Sequence, residues 1–361
     1  MDAKSWIAFH LCPGLPPPVR RKLLERYGDA ASLIKAPAAE LRAAGVAREA
    51  RKWLARPDVA VMRRCMAWLE GDGAHLVPIS DPNYPGLLRE IHDPPAALFA
   101  LGQLDTLGQP QLAIVGSRSA TPLGRSTAGD FARALSRRGL CIASGLAEGI
   151  DGASHEAALD CGGRTLGVCA TGLDRVYPRR HEALARRIAA SGALISENPP
   201  GTRLKHWMFP QRNRIISGVS AGVLVVEAAS RSGANITARA AADQGREVFA
   251  VPGSIYSPAS RGCHALIRNG AKLVEKPEDV LVELPPLLQG LGPEAGGDET
   301  ALPDLKELPL FGGILREAPQ SVDDLVRHTG RCASEVAAEL ARLEIQGRVM
   351  ALPDGRFQSR P

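Results

Sequence analysis

Aromatic residues are scarce in this chain of 361 residues: Phe, Trp and Tyr together make up 4%. Ala, Gly and Leu carry much of the apolar content, so aromatics outside an apolar run stand out. No C-x-x-C pair occurs among the seven cysteines. That argues against a zinc framework, and an odd, scattered set argues against a disulfide scaffold. Several cysteines, Cys141 and Cys169 among them, lie in apolar runs, where a reduced thiol is a small core residue. No apolar run reaches about eighteen residues and no signal-peptide pattern opens the chain. The expectation is a soluble cytoplasmic protein with no membrane partner. G-x-x-x-x-G-K-[ST] is absent, which argues against a P-loop ATPase. G-x-G-x-x-G is absent after the first strand of the core, which argues against a standard dinucleotide enzyme. No cofactor and no metal are expected.

The length allows two or three domains. The net charge of +5 is a mild basic excess. Its distribution is more informative. Residues 1–70 carry thirteen Lys/Arg against seven Asp/Glu, whereas residues 284–310 carry one Lys against five acids. The positive charge therefore sits on candidate folded parts.

The chain is organised around Gln111–Gly124. Leu112–Val115 is an apolar run, Gly116-Ser117-Arg118 follows, and Arg125–Arg138 has helical spacing. Strand, glycine turn and helix form the first unit of a Rossmann-type sheet. Backbone N–H groups and the helix dipole at such a turn favour anions, and Arg118 adds a planar cation. Alternatively, Gly116 only makes the turn and Arg118 is a solvated loop residue.

Residues 1–70 read as short helices broken by Pro13-Gly14-Leu15, Tyr27-Gly28 and Gly45. They resemble a helix–hairpin–helix or SAM-like module; a plain helical bundle is the alternative. Residues 76–110 are Pro-rich and read as an extended segment with one short helix, covering a sheet edge. Alternating strands and helices up to residue 283 predict a parallel sheet covered on both faces. Residues 284–310 read as an acidic Pro/Gly linker. Residues 311–361 read as three helices and a hairpin, with Ser321 and Ser334 as caps and a turn at Asp354-Gly355. That order resembles a winged helix, binding DNA or protein. The fold class is thus α/β, a Rossmann-like core of residues 76–283 between two small helical modules.

Four polar loops should meet at the carboxyl edge of the sheet: Gly116–Arg118, Ser144–Asp151, Lys205–Arg214 and Ser230–Asn235. Ser144, Gly145, Arg214, Ser232, Gly233 and Asn235 are the further residues expected to line it and meet DNA. Lys205–Arg214 mixes cations with Trp207 and Phe209, a combination suited to single-stranded nucleic acid. Pro210 should keep Phe209 out of the helical region, in a loop, free to stack on a base. Trp207 as the stacking ring and Phe209 as anchor is the other assignment. One of Arg212 and Arg214 should be structural, paired with Glu197 or Glu227. His155 reads as a core or helix-surface histidine, and Asp151 as a helix cap.

The motifs IVGSR, SGLAEGIDGASHEAAL, TGLDRVYP, FPQRNRIISG, VVEAASRSGANITA and GCHALIRNGAKLV, in this order, resemble the DprA/Smf family. So does the earlier DPNYP…DPPAALFALG. The resemblance is dense over about residues 76–283. It implies a DNA-processing protein of natural transformation, not an enzyme, that binds and protects incoming single strands and loads RecA on them. Carried over by motif, Gly116, Ser117, Arg118, Lys205, Phe209, Arg212 and Asn213 are strand-binding positions. The family commonly has SGSLITA where this chain has Ser232-Gly233-Ala234-Asn235-Ile236-Thr237-Ala238, so Asn235 is a departure. The resemblance also implies a homodimer through Gly262–Val274, with Leu266, Ile267 and Leu273 as contacts. No motif carries the RecA contacts. A nucleotide-cleaving N-glycosidase of the same fold group is the alternative, but its P-G-G-x-G-T-x-x-E signature is missing.

Overall fold

The structure, a computed structural model, describes residues 2–284, 314–315, 318–345, 349–352 and 354–359. Two compact units are present. In the larger, six short helices come first: α1 (Ala3–His10), α2 (Pro17–Tyr27), α3 (Ala30–Ile34), α4 (Ala38–Ala43), α5 (Arg48–Ala55) and α6 (Val59–Leu69). Their boundaries follow local chemistry. Asp2, Asp29 and Asp58 cap α1, α3 and α6 through side-chain acceptors. Gly28 ends α2 at φ 76°, a conformation that favours glycine.

The segment after α6 departs from the sequence expectation. It contributes two edge strands, β1 (Ala74–Pro78) and β2 (Ala97–Gly102), with the short helix α7 (Gly86–Glu90) between them. β1 runs antiparallel to β2, and β2 antiparallel to β6 (Ala193–Ser196). The segment therefore builds the sheet edge instead of covering it, and the sheet is mixed. The prolines flank the strands, apart from Pro78 as the last residue of edge strand β1, a position that tolerates a missing N–H.

The remaining strands are parallel: β3 (Gln111–Val115), β4 (Cys141–Ser144), β5 (Thr165–Cys169), β7 (Gly222–Val225), β8 (Glu247–Ala250) and β9 (Lys272–Leu273). The nine strands lie in the order β1-β2-β6-β5-β4-β3-β7-β8-β9. The run β5-β4-β3-β7-β8-β9 has the doubly wound 3-2-1-4-5-6 order, which reverses between β3 and β7. Every residue of β3 and β7 is buried, as covered parallel strands require.

One face of the sheet buries Ile215, Ile216 and Val219 of α11 (Met208–Val219) and Ala238 of α12 (Gly233–Asp243). The other buries Phe131 and Leu135 of α8 (Pro122–Arg137) and Ile150 of α9 (Ile150–Asp160). The N-terminal helices pack with β1, β2 and α10 (Glu182–Ser191) in a continuous core that includes Ile7, Phe9, Phe99 and Ile188. A polar network joins them to the sheet. His10 Nδ1 accepts from Ala97 N (3.2 Å), so Nε2–H donates to Glu197 O (2.7 Å). Arg20 Nη1 donates to Pro94 O (3.4 Å) and lies 3.7 Å from Asp93. The last elements of this unit are α13 (Arg261–Arg268) and α14 (Pro277–Glu283).

The smaller unit holds helices Val322–Thr329 and Ala333–Ile345 and the antiparallel strands β10 (Val349–Ala351) and β11 (Phe357–Ser359). Ser321 caps the first helix in a capping box with Asp324. The second helix starts at Ala333, so Ser334 lies in its first turn and is not its cap. Leu325, Val336, Leu340, Leu343 and Val349 form its core. The expected linker at 284–310 lies, past Leu284, outside the described residues.

Candidate nucleic-acid interface

A cleft of about 500 Å³ opens at the carboxyl ends of β3 and β7, the point where the strand order reverses. An adjoining recess of about 170 Å³ shares Arg118, Ala147, Phe209 and Arg212 with it.

The turn after β3 is locked by backbone contacts. Ser117 N donates to Glu227 O (2.8 Å), and Ser117 O accepts from Ile150 N (3.2 Å). A Cβ on Gly116 would lie 2.5 Å from Ile150 Cγ1 and 2.9 Å from Glu227 O, so only glycine lets α9 and the end of β7 approach. The Ser117 N–H is therefore engaged within the fold. What the turn presents to the cleft is the exposed Arg118 side chain.

The loop after β4 is organised by Asp151. Its Oδ2 accepts from Gly145 N (3.1 Å) and Ala147 N (3.4 Å). Asp151 thus fastens the loop; Gly149 holds the cap position of α9. Ser144 does not line the cleft: its buried Oγ donates to Ile114 O (2.6 Å), tying β4 to β3. Gly145 lines the recess, where a Cβ would fall 1.6 Å from Arg212 Nη1.

Helix α11 places most of the third loop's residues, and it begins earlier than its sequence suggests. Phe209 and Pro210 lie in its first turn, where the N–H that proline lacks would have no helical partner. Phe209 is helical, contrary to the expectation that Pro210 would exclude this. Helical periodicity then explains which side chains face the cleft. Phe209, Arg212, Asn213 and Ile216 fall at i, i+3, i+4 and i+7 and line it together. Arg214 is off that stripe. Its Nη2 donates to both carboxylate oxygens of Glu197 (2.6 Å each), and Nη1 donates to Asp93 O (2.6 Å). Arg214 is thus the structural arginine, and the buried anchor of this turn is Met208. Lys205 stays outside the cleft, its Nζ 6.0 Å from the centre of the exposed Trp207 ring.

Arg212 is buried, with Nη1 donating to Val168 O (3.2 Å) and Nε without a partner among the described residues. Burial lowers its pKa, and the Asp151 charge opposes that shift. Burial likewise raises the Asp151 pKa, with Arg212 opposing. Arg118 lies over Phe209, and Tyr177 and His206 stand 6.0 and 6.2 Å from the same ring.

The fourth loop contributes Ser232 and Gly233 to the lining. Ser232 Oγ caps α12 by accepting from Ala234 N (3.3 Å). Asn235 does not line the cleft; its Nδ2 staples the loop by donating to Ala229 O (3.0 Å) and Ser230 O (3.1 Å). Arg231, which the sequence reading passed over, lines the cleft with an exposed side chain. Its position just beyond β7, at the carboxyl edge, was the available signal. The cleft lining thus carries three arginines, Arg118, Arg212 and Arg231, against one carboxylate, Asp151. Such a surface suits a polyanion with unpaired bases.

The family model described as DNA recombination-mediator protein A matches residues 75–285, and the DprA winged helix domain matches residues 301–355. The chain belongs to the DprA/Smf family. It is 42% identical over 318 residues to Protein Smf of Escherichia coli, covering 87% of this chain and 84% of that protein. It is 46% identical over 223 residues to the DNA processing protein DprA of Bacillus subtilis, covering 62% and 75%. The X-ray structure of DprA from Streptococcus pneumoniae superposes with a TM-score of 0.70 at 37% identity, covering 79% of this chain and 99% of that one. DNA processing protein A from Helicobacter pylori, solved for its single-stranded DNA binding mode, superposes with a TM-score of 0.51 at 28% identity, covering 54% of this chain and 90% of that one.

Proposed function

We propose that the cleft holds single-stranded DNA without strong sequence preference, and that the chain protects incoming strands and delivers them to RecA in natural transformation. The observation that carries the binding reading is the pairing of three arginines with the half-exposed Phe209 and Tyr177 rings at the strand-order switch. Arginines hold phosphates, and rings stack any base. Strand binding by the Helicobacter pylori relative supports the same reading, as does the recombination-mediator description of the family. The role is one of binding, with no chemical step. Gly116, Ser117, Arg118, Phe209, Arg212, Asn213, Ser232 and Gly233 form the proposed surface, with Gly145 in the recess.

The test is titration with oligothymidylate and with duplex at several salt concentrations. Affinity for the single strand should fall with salt at a slope of about −0.7 per phosphate contacted. Equal affinity for duplex at physiological salt would refute the reading.

A homodimer through Gly262–Val274 belongs to the same proposal. Leu266 and Ile267 pack partly on the core, whereas Leu273, on edge strand β9, is 49% exposed. Leu273→Asp should shift sedimentation toward monomer without changing the fold. A concentration-independent monomer mass for the wild type would remove the dimer.

A further inference from the structure

Outside the cleft, a second cationic surface runs from its rim to the N-terminal helices. The loop between β6 and α11 passes through Gly201, Arg203 and Lys205 before His206 enters the cleft lining. Arg64 of α6 reaches across to this loop: a Cβ on Gly201 would stand 2.6 Å from Arg64 Nε. The close approach needs the missing side chain, and Gly201 has φ +90°. Arg64, Arg203 and Lys205 are exposed, and none makes an ion pair among the described residues. Two carboxylates belong to this loop or meet it, and both are already paired: Glu197 with Arg214 (2.6 Å), and Asp174, whose Oδ1 accepts from Gly201 N (2.8 Å), with Arg175 (2.7 Å). Trp207, 53% exposed, adds a ring on the same path. Gly201 and His206 are five residues apart, so the path is at most about 18 Å long.

We infer that this surface is an exit track: the single strand leaving the cleft lays its phosphates on Arg203 and Arg64 and a base on Trp207. The inference rests on the strand-binding reading and extends it to the N-terminal helices. Unpaired guanidinium groups on this loop and on the helix it meets, with an exposed indole further along the same loop, repeat the chemistry of the cleft, and the loop carries the strand path from one to the other.

The test uses Arg64→Glu, Arg203→Glu and the double variant of the full chain. Each is titrated with oligothymidylates of about 4 and about 16 nucleotides, the short one to occupy the cleft alone and the long one to run past it onto the track. The double variant should bind the short strand within about twofold of wild type. It should bind the long strand roughly tenfold more weakly, with a salt slope shallower by about 0.7 for each phosphate no longer neutralised. Equal loss at both lengths, or none at the longer, overturns the track. Arg64→Lys keeps charge and stem and should bind the long strand nearly as wild type; a loss matching Arg64→Glu would make Arg64 a packing residue and overturn its role. Failure of the wild type to bind either length refutes the cleft reading itself and takes the track with it.

Discussion

The guanidinium carbon of Arg118 stands 4.3 Å from the centre of the Phe209 ring. The turn after β3 and the first turn of α11, far apart in sequence, thus present one composite surface. The ring holds a flexible cation in place, at about 0.5–1 kcal/mol for an exposed pair. The two residues should therefore act as a unit. Phe209→Ala is expected to weaken oligothymidylate binding by about 1–3 kcal/mol, alike for mixed sequence. Its melting temperature should stay within a few degrees, since the ring is only half-buried. Arg118→Ala should cost roughly 1.5–3 kcal/mol of affinity, and the double variant less than the sum. A large fall in melting temperature with intact binding would make Phe209 a core residue.

Arg214 has the opposite signature. It bridges Glu197 and Asp93, with its side chain 19% exposed. Arg214→Ala leaves Glu197 without its cation and Asp93 with Arg20 alone, and should cost about 1.5–3 kcal/mol of stability. Strand affinity of the folded fraction should not change. Lysine has one nitrogen and cannot hold Glu197 and Asp93 O at once as Nη2 and Nη1 do, so Arg214→Lys should recover only part of the loss. Urea unfolding beside a binding titration checks both; weakened binding at unchanged stability would move Arg214 to the strand.

Much of this was legible in the sequence, for physical reasons. Leu112–Val115 announces itself because a parallel strand covered on both faces is apolar throughout. The four loops could be grouped because strand ends in such a sheet share an edge. Arg212 and Arg214 could not be told apart, because the start of α11 decides which faces the cleft, and Phe209-Pro210 disguises that start. The antiparallel edge was hidden because β1 and β2 lie among prolines that read as irregular chain. Asp151 was assigned to the wrong partners: its acceptors serve the preceding loop, a tertiary arrangement with no local signal.

Stability should fall in acid through His155. The imidazole is fully buried; Thr165 Oγ1 donates to Ile142 O, so Nδ1–H of His155 donates to Thr165 (2.6 Å). Its Nε2 has no partner among the described residues, and burial pushes the pKa down from 6.5 to about 3. The folded state thus keeps His155 neutral while the unfolded chain takes up a proton near pH 6.5. Its contribution is complete above that value and is lost as pH falls toward about 3. The slope is about 1.4 kcal/mol per pH unit, so roughly 2 kcal/mol should be gone by pH 5. Buried His10, also lowered by burial, acts in the same sense. His155→Gln, compared by urea unfolding at neutral and acid pH, should lose less than wild type by about that amount. Equal losses would show that His155 does not titrate in this way.

Two glycines in the site should separate binding from folding. A Cβ at Gly116 meets Ile150 Cγ1 at 2.5 Å and the Glu227 carbonyl oxygen at 2.9 Å. The obstacle includes backbone, which cannot step aside without shifting β7 from β3. Gly116→Ala should therefore cost about 1–3 kcal/mol of stability, in the range of overpacked cores. At Gly145 the obstacle is the Arg212 guanidinium, 1.6 Å from the added carbon. That group is the end of a jointed side chain, so it can move, and the fold should lose less than with Gly116→Ala. The displacement carries the cation away from Val168 O and from the floor shared by the cleft and the recess. Gly145→Ala should then bind oligothymidylate about as poorly as Arg212→Ala. The double variant should be no worse than either alone, because the methyl group acts only through Arg212. Additive losses would mean that Gly145 meets the strand itself, and full affinity in Gly145→Ala would remove Arg212 from the binding surface.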